Sequence, residues 1–392
     1  MFRAFLKLGL TSFGGPIAHL GYFRDELVLR RRWIDEAGYA DLVALCQFLP
    51  GPASSQVGFA LALMRGGPLG ALAAWAAFTL PSALLLLVFA LTATAFTGSI
   101  GTGLIHGLKL VAVAIVAQAV WGMARTLAPD KERASIALGA VLLVIFIGGA
   151  IGQIGAIVAG GIAGLWLCRD AAPPAVGHLA FPVSRAAGVA CLAVFGLLLV
   201  GLPLVVVSTD NQGLALFDAF YRSGALVFGG GHVVLPLLET EVVQPGWVTA
   251  DSFLAGYGAA QAVPGPLFTF AAYLGTVMRP EPNGFTGAAI ALIGVFLPGL
   301  LLVVGALPLW DAFRTRSLAQ AAMRGTNAAV VGILGAALYD PVWISAVRTP
   351  YDFAVALTGF VLLTMWKAPP WVVVVLTAAG GVALGLAGLV AK

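Results

Sequence analysis

Charged side chains are scarce in this sequence. Lysine, arginine, aspartate and glutamate make up 10% of the 392 residues, whereas 60% are hydrophobic and the mean hydropathy is +1.00. Because a soluble domain carries roughly 25% charged residues, the composition excludes an ordinary soluble protein and predicts a chain embedded in the lipid bilayer. The formal net charge of +4 is small, and it falls mostly in loops, so it does not favour a nucleic-acid-binding surface.

Cysteines and catalytic signatures are also sparse. Cys46, Cys168 and Cys191 lie far apart in apolar sequence, a pattern that fits packing residues better than a disulfide framework or a metal cluster. The sequence contains no GxSxG, P-loop or HExxH motif, which are signatures of common hydrolases, nucleotide-binding enzymes and zinc proteases. We therefore expect neither an enzyme nor a protein that carries a metal or another cofactor.

Long apolar runs are abundant instead. Runs such as residues 84–91 are uninterrupted, whereas the strands of a membrane β-barrel alternate polar and apolar side chains. Helices are therefore favoured, and at about 20 residues per span the chain has room for about a dozen helical segments. The sequence predicts an all-α polytopic membrane protein.

Two stretches of the chain are nearly alike. Residues 5–52 contain FGGP followed by LPGP, and residues 220–266 contain FGGG followed by VPGP. With a shift of 215 residues, and of 214 after a one-residue deletion, matching glycines, prolines, aromatic residues and a glutamine fall in register, so we infer an internal duplication. The predicted organisation is a first unit at residues 1–168, a linker with one transmembrane helix at 169–213, and a second unit at 214–392.

Glycine and proline interrupt four apolar segments, at residues 14–16, 50–52, 229–231 and 264–266. Glycine weakens a helix, and proline suits the first turn of a new one, so each helix is predicted to end at its glycines. The four restarts are predicted to follow Gly15, Gly51, Gly230 and Gly265. A limb of about ten residues spans about 15 Å, which reaches only the middle of the bilayer. The broken segments are therefore predicted to form re-entrant hairpins.

The distribution of basic residues predicts how the two units are oriented. In the first half, lysine and arginine concentrate in residues 24–36, 125–133 and 169–185, whereas the connector at 239–251 in the second half contains neither. Loops rich in lysine and arginine face the cytoplasm. Because the linker helix carries the chain across the membrane, the second unit should be inverted relative to the first, as in many secondary transporters.

Helices that start within the membrane suggest an anion site. Such a start exposes its first N–H groups and the positive end of its dipole, and both bind anions. An inverted repeat would bring the four starts together near the membrane centre. The alternative is that glycine and proline merely kink packed helices, but four breaks in two matched sets favour the site. The candidate substrate-binding residues are Gly14, Gly15, Pro16, Gln47, Gly51, Pro52, Ser54, Ser55, Lys109, Gly229, Gly230, Gly231, Gln261, Gly265, Pro266, Thr269 and Asn327.

Lys109 is the charged candidate in this set. It lies inside an apolar span, where a charge is unfavourable and is often functional, and its counterpart in the repeat is the neutral Asn327. We predict that Lys109 supplies positive charge to a bound anion. The alternative is that its side chain reaches out to a membrane interface.

Two histidines and two glutamates are candidates for ion coupling. His19 and His232 flank the first break of each unit and could carry a proton near neutral pH, although a single histidine is more often a packed, hydrogen-bonded residue. Glu26 and Glu241 match across the repeat and could couple transport to an ion. Because arginines lie nearby in the sequence, ion pairing is the favoured role for both glutamates.

The paired motifs resemble those of a known family. KLGLTSFGGPIAHLGYFRDE at residues 7–26, LCQFLPGPASSQ at 45–56, FGGGHVVLPLLE at 228–239 and QAVPGPLF at 261–268 are similar to the chromate ion transporter family, in its long, two-domain form from bacterial plasma membranes. The resemblance covers nearly the whole chain. It implies secondary active transport of chromate out of the cell, by an antiporter or a proton-driven or potential-driven route, and chromate resistance.

Other functions and partners stay open at this point. Sulfate is a tetrahedral dianion similar in size to chromate, so the predicted site also fits uptake or exchange of sulfate or another oxyanion. The same helix starts would also suit a membrane enzyme or lipid carrier acting on phosphate headgroups. The coupling ion and a homodimeric assembly are not assigned by the sequence.

Overall fold

The computed structural model describes residues 1–93, 98–169, 183–310 and 316–390, and all regular structure in these residues is helical. Within them, six helices are long and apolar enough to cross a membrane: Ala53–Thr92, Gly98–Leu127, Gly149–Leu167, Arg185–Ser208, Gly284–Leu309 and Ser317–Ala346. The predicted all-α polytopic class is therefore confirmed. Linker residues 170–182, which the sequence assigns to a basic loop, lie outside the described residues.

The first unit contains seven helices among its described residues. They are α1 (Phe2–Thr11), α2 (Gly15–Phe23), α3 (Glu36–Phe48), α4 (Ala53–Thr92), α5 (Gly98–Leu127), α6 (Lys131–Ile147) and α7 (Gly149–Leu167). A π-helical turn at Arg24–Arg30 continues α2. The side chain of Asp35 accepts a hydrogen bond from the N–H of Gly38 and so caps the start of α3.

The second unit repeats this order of elements. Its helices are α9 (Gln212–Ala225), α10 (Val234–Val242), α11 (Ala250–Ala260), α12 (Phe270–Val277), α13 (Gly284–Ala306), α14 (Ser317–Ala337), α15 (Pro350–Thr364) and α16 (Pro370–Leu386). Short 3₁₀ turns at Gly231–Val233 and Leu267–Thr269 precede α10 and α12. Between the units, α8 (Arg185–Ser208) lies on the outside of the bundle with none of its apolar window buried.

The helix breaks occur close to their predicted positions, with two differences. Helix α1 ends at Thr11, and α2 begins at Gly15, one residue before the predicted restart at Pro16. Helix α4 combines two predicted segments, because the helices on either side of Gly67 are interrupted only by that residue (φ 61°, ψ −164°). A glycine adopts this conformation without the steric strain of a Cβ atom, so the chain bends there with no intervening loop.

Two ion pairs show that the first broken segment of each unit folds back on itself. Lys7 Nζ lies 2.7 Å from Glu26 Oε2, and Arg222 Nη2 lies 2.8 Å from Glu241 Oε2, although each pair is 19 residues apart in the sequence. A continuous helix would separate these residues by about 28 Å. The limbs α1 and α2 therefore run as a hairpin, and so do α9 and α10.

The second broken segments are hairpins as well. In the second unit, the Tyr273 hydroxyl of α12 donates to the carbonyl of Ser252 in α11 at 3.0 Å. In the first unit, the guanidinium of Arg65 lies 5.3 Å from the centre of the Trp33 ring, which joins the end of the α4 limb to the residues that precede α3. The chain therefore forms four hairpins, and their tips lie at the FGG and PGP motifs.

A long helix of each unit packs against a helix of the other unit. Helix α5 packs on α16 so closely that a Cβ atom on Gly107 would strike the carbonyl of Thr377. In the matching place α14 packs on α7, where a Cβ atom on Gly325 would strike the carbonyl of Gly160. Small residues permit such close approach of membrane helices. The predicted unit boundaries therefore mark a repeat of sequence, and each unit completes the packing of the other.

Candidate functional site

Two reciprocal hydrogen bonds join the hairpin tips across the units. The N–H of Gly51 donates to the carbonyl of Val227 at 2.8 Å, and the N–H of Gly265 donates to the carbonyl of Ser12 at 2.8 Å. Gly51 corresponds to Gly265 in the repeat, and Ser12 corresponds to Val227. Each second hairpin therefore meets the first hairpin of the other unit, and the relation is the same in both directions.

Further contacts bring all four tips to one place. A Cβ atom on Gly15 would lie 4.0 Å from Nε2 of His232, so the first hairpins of the two units are neighbours. A Cβ atom on Gly51 would lie 3.0 Å from the Cα of Gly299. Gly51 has a φ of 120°, a conformation that L side chains rarely adopt, and the tight contact and the backbone angle together require glycine there.

The helix starts at these tips have no side-chain caps. The residues that precede α2, α4 and the turns at Gly231–Val233 and Leu267–Thr269 form no side-chain cap. Their first N–H groups are therefore not occupied by capping oxygens, and the positive ends of the helix dipoles point to the tips. Such ends bind oxyanions in many proteins.

Buried polar side chains of the first unit surround these starts. Ser54 and Ser55 stand in the first turn of α4, and His19 Nδ1 lies 3.3 Å from Ser54 Oγ. Within the described residues, Ser12 Oγ, His19 Nε2 and Ser55 Oγ are buried and have no hydrogen-bond partner. Because leaving a buried polar atom unpaired is unfavourable by about 1–3 kcal/mol, these atoms are suited to a bound polar ligand.

The second unit presents a different set of polar groups. Thr269, the counterpart of Ser55, donates its hydroxyl to the carbonyl of Pro266 at 2.7 Å. His232 Nδ1 lies 2.8 Å from the Tyr257 hydroxyl. Gln261 Nε2 and Asn327 Oδ1 are buried atoms without a partner among the described residues. The two halves of the site are therefore similar in backbone and different in side-chain chemistry.

Two predicted site residues have surroundings that the sequence does not indicate. Gln47, the counterpart of Gln261, is exposed on α3. The side chain of Pro16 lies outside the described part of the chain, although its backbone belongs to α2. The remaining predicted residues at the tips, Gly14, Pro52, Gly229, Gly230 and Gly231, lie at the breaks that the reciprocal hydrogen bonds join.

Lys109 forms an ion pair at the far end of α11. Its Nζ lies 2.8 Å from Asp251 Oδ1, and its side chain is only 8% exposed. Asp251 stands in the first turn of α11, and the eleven residues of that helix separate it by about 16 Å from the break at the other end. The structure thus pairs the positive charge of Lys109 with the carboxylate of Asp251. This pair lies at the end of α11 that is farther from the PGP break.

Glu26 and Glu241 have the ion pairs that the sequence favours. Glu26 is bonded by Lys7, Arg30 and Arg31, whose nitrogens lie 2.7, 3.1 and 2.7 Å from its oxygens. Burial opposes ionisation of Glu26, but these hydrogen bonds outweigh that effect and lower its pKa to about 2. Glu241 pairs with Arg222. Both glutamates clamp the open ends of hairpins, away from the tips.

A buried pair of side chains that the sequence does not indicate joins the two units. His106 Nε2 of α5 lies 2.6 Å from Asp352 Oδ1 of α15, and both side chains are buried. The other oxygen of Asp352 accepts hydrogen bonds from the N–H groups of Arg348 and Thr349. A histidine within an apolar segment was the available signal, and it does not identify a partner 246 residues away.

Gln56 is a second residue that the sequence analysis did not name. Its Nε2 atom donates to the carbonyls of Pro50 and Gly299, both at 2.9 Å. It therefore ties the PGP break of the first unit to α13 of the second. In the part of the chain that the structure describes, no group of three or more histidine, cysteine, aspartate or glutamate residues could hold a metal ion.

Comparison with known proteins identifies relatives along nearly the full length. The family model described as "Chromate transporter" matches two ranges, residues 1–165 and 214–384. The chromate transport protein of Pseudomonas aeruginosa is 31% identical over 390 residues, which are 97% of this chain and 90% of that protein. The probable chromate transport protein of Synechococcus elongatus is 27% identical over 96% of this chain and 93% of its own length.

A shorter relative matches only part of the chain. The uncharacterized transporter YwrA of Bacillus subtilis is 30% identical over 160 residues, which are 39% of this chain and 84% of that protein. A protein of nearly one unit's length is therefore similar to one part of the present chain. No solved structure matches the chain.

Proposed function

The chain belongs to the chromate transporter family, and from this membership we propose that it carries chromate out of the bacterial cell across the plasma membrane. The relatives named above are transporters by name, which supports transport as the activity in preference to catalysis. The proposed mechanism is secondary active transport, and the physiological result is chromate resistance.

The convergence of the four tips is the observation that carries the proposed site. Chromate is a tetrahedral dianion, and its oxygens accept hydrogen bonds in several directions. We propose that the uncapped N–H groups at the starts of α2 and α4 and at Gly231 and Leu267 bind these oxygens. Ser55 and Ser12, whose buried hydroxyls have no partner, would donate further hydrogen bonds.

An inverted arrangement of the units is part of the proposal. The reciprocal bonds from Gly51 to Val227 and from Gly265 to Ser12 are what a two-fold axis through the tips would produce. The hairpins would then be re-entrant, those of the first unit entering from the cytoplasm and those of the second from outside. The basic residues of the connector at 24–36 support this orientation.

Coupling to a proton or a counter-ion is assigned to groups near the tips. His19 and His232 are titratable side chains there, and each has one ring nitrogen bonded to a hydroxyl, of Ser54 and of Tyr257. Protonation of either ring would place a positive charge beside the proposed anion site. Glu26 and Glu241 are held in ion pairs, so we place them in a structural role.

Transport of labelled anions into inverted membrane vesicles tests the proposed function. Vesicles that contain the protein should accumulate radiolabelled chromate above empty vesicles. If transport is proton-driven, a protonophore should abolish the accumulation. Failure of chromate to accumulate under any imposed gradient would contradict the proposal.

Sulfate is the second candidate substrate, because the same helix starts fit either tetrahedral dianion. The vesicle assay separates them, since each anion is measured alone and in competition with the other. Hydrolysis of phosphate headgroups is the remaining alternative, and the His19 to Ser54 contact at 3.3 Å is the pair of a base and an aliphatic hydroxyl that favours it. Robust release of phosphate from a polyprenyl diphosphate by the purified protein would establish that enzyme activity and overturn a transport-only function.

A further inference from the structure

The same helix face is packed in one unit and exposed in the other. On α11, Leu254 and Gly258 are buried, and a Cβ atom on Gly258 would strike the carbonyl of Leu108 in α5. Their counterparts on α3 are Ala40 and Ala44, and both are exposed. The exposed stripe on α3 continues one turn in each direction, to Ala37 and Gln47.

The first hairpins differ in the same way. On α10, Leu237 is 4% exposed, and its neighbour Pro236 accepts a hydrogen bond from Gln153 of α7 at 3.0 Å. The counterpart of Leu237 on α2 is Tyr22, which is 41% exposed. Both hairpins of the second unit are therefore docked on long helices, whereas both hairpins of the first unit leave the equivalent faces uncovered.

An ion pair closes only the docked side. Lys109 of α5 and Asp251 of α11 lie at the contact between these helices. The counterpart of Lys109 is Asn327, and the counterpart of Asp251 is Ala37. The counterpart helices α14 and α3 therefore lack the pair of opposite charges that joins α5 and α11.

From these differences we infer that the structure holds one end of a transport cycle, and that the exposed face of α3 is a docking surface for α14. The occupant follows from the repeat, because α11 docks on α5 and α14 is the counterpart of α5. In the opposite state, α3 closes on α14 while α11 leaves α5. Two nearly equal arrangements of one duplicated sequence are the usual basis of alternating access.

Lys109 and Asp251 form the latch of the docked side in this scheme. The pair is present when α11 lies on α5 and must separate when α11 moves away. Because the cytoplasmic placement of the first unit belongs to the proposed function, the present state is open to the cytoplasm and closed to the outside. The latch thus stabilises the cytoplasm-facing state without contacting the anion site at the tips.

Thiol labelling of the full-length protein tests the inference. In a variant whose three native cysteines are replaced by serine, Ala44→Cys should react with a membrane-impermeant maleimide in inside-out vesicles. Adding Asp251→Asn weakens the latch, so α11 leaves α5 more often and α3 closes more often. We expect labelling at position 44 to slow by about fivefold or more, the range of typical coupling between distant sites.

Two matched variants make the result specific. Leu29→Cys, at an exposed position in the turn Arg24–Arg30, should label equally with and without Asp251→Asn. The exchanged pair Lys109→Asp with Asp251→Lys should restore the labelling rate at position 44. A purely structural role of the ion pair predicts no change at position 44, which lies in the other unit.

Three outcomes would overturn the inference. The first is a labelling rate at position 44 that is the same with and without Asp251→Asn. The second is labelling only by lipid-soluble reagents, which would place α3 against lipid. The third is formation of disulfide-linked dimers through position 44, which would assign the face to a second copy. Chromate transport in the same vesicles distinguishes the two proposals. If labelling at position 44 depends on the Lys109–Asp251 pair but chromate is not transported, only the proposed substrate is contradicted. If chromate is transported but labelling does not depend on the pair, only the latch is contradicted.

Discussion

The backbone N–H of Gly51 in the first unit donates a 2.8 Å hydrogen bond to the carbonyl of Val227 in the second. Gly51 has a φ of 120°, and a Cβ atom there would lie 3.0 Å from Gly299. We expect Gly51→Ala to reduce transport severely and to destabilise the fold by about 1–3 kcal/mol, the usual strain of a side chain in this backbone region. Anion uptake and the thermal unfolding midpoint measure the two effects.

Gly122→Ala is the matched control for that change. Gly122 lies within α5, has an ordinary helical conformation, and has open space where a Cβ atom would be placed. Alanine favours a helix over glycine, so the control should leave uptake unchanged and the unfolding midpoint equal or higher. Equal behaviour of the two variants would contradict a special role for the bond to Val227.

The Ser55 hydroxyl should contribute to anion binding. It is buried without a partner, so Ser55→Ala should leave the fold intact while weakening substrate binding. A hydrogen bond to a charged group is worth about 1.5–3 kcal/mol, and its loss predicts a rise in KM for chromate of about tenfold or more. Thr92→Ala, which removes an exposed hydroxyl from the same helix α4, should leave KM unchanged.

Glu26 should make the stability of the protein depend on acid pH. Because burial is outweighed by its bonds to Lys7, Arg31 and Arg30, its pKa in the folded protein is about 2, below the ordinary value of 4.5. The ionised form is therefore favoured by folding, and its contribution is present above pH 4.5 and is lost as the pH falls towards 2. Unfolding midpoints measured between pH 7 and pH 2 should show this loss.

Glu26→Gln should remove that pH-dependent component. We expect it to lower stability at pH 7 by about 1–3 kcal/mol, because it leaves Lys7, Arg30 and Arg31 without a charged partner. Glu36→Gln is the control, since Glu36 pairs with Arg24 at an exposed position, where an ion pair contributes about 0–1 kcal/mol. An equal loss of stability in the two variants would contradict the role of Glu26 in holding the open end of the first hairpin together.

The pair of His106 and Asp352 should stabilise the docking of α15 on α5. His106→Ala leaves Oδ1 of the buried Asp352 carboxylate without its hydrogen bond, while Oδ2 keeps its bonds from Arg348 and Thr349, which predicts a loss of about 1–3 kcal/mol of stability. His106→Gln retains a donor to Asp352 and should lose less. The order of the unfolding midpoints, wild type above glutamine above alanine, tests the prediction, and equal values for all three proteins would refute it.

Local signals explain what could be predicted from the sequence. Glycine and proline act on their own turn of backbone, so FGGP and LPGP located the breaks within a few residues. The ion pairing of Glu26 was also predictable, because arginines stand four and five residues away. The matched motifs further indicated that the tips meet, since duplicated elements are commonly related by a two-fold axis.

Contacts between distant segments could not be predicted in this way. The sequence predicts that Lys109 supplies charge to an anion, and it gives no sign that Lys109 pairs with Asp251, which lies 142 residues away. His106 and Asp352 meet for the same reason, through packing of α5 on α15. The unequal exposure of Ala44 and Gly258 is also invisible in the sequence, because it belongs to a conformational state and not to a residue type.

The packing of long helices between the two units has a consequence for synthesis of the protein. Helix α5 emerges from the ribosome long before α16, and α7 before α14, so the first unit enters the membrane with the faces around Gly107 and Gly160 uncovered. These faces are closed only after the last helices insert. Final folding of the N-terminal half therefore waits for completion of the chain, and two separately expressed halves should assemble together or be degraded apart.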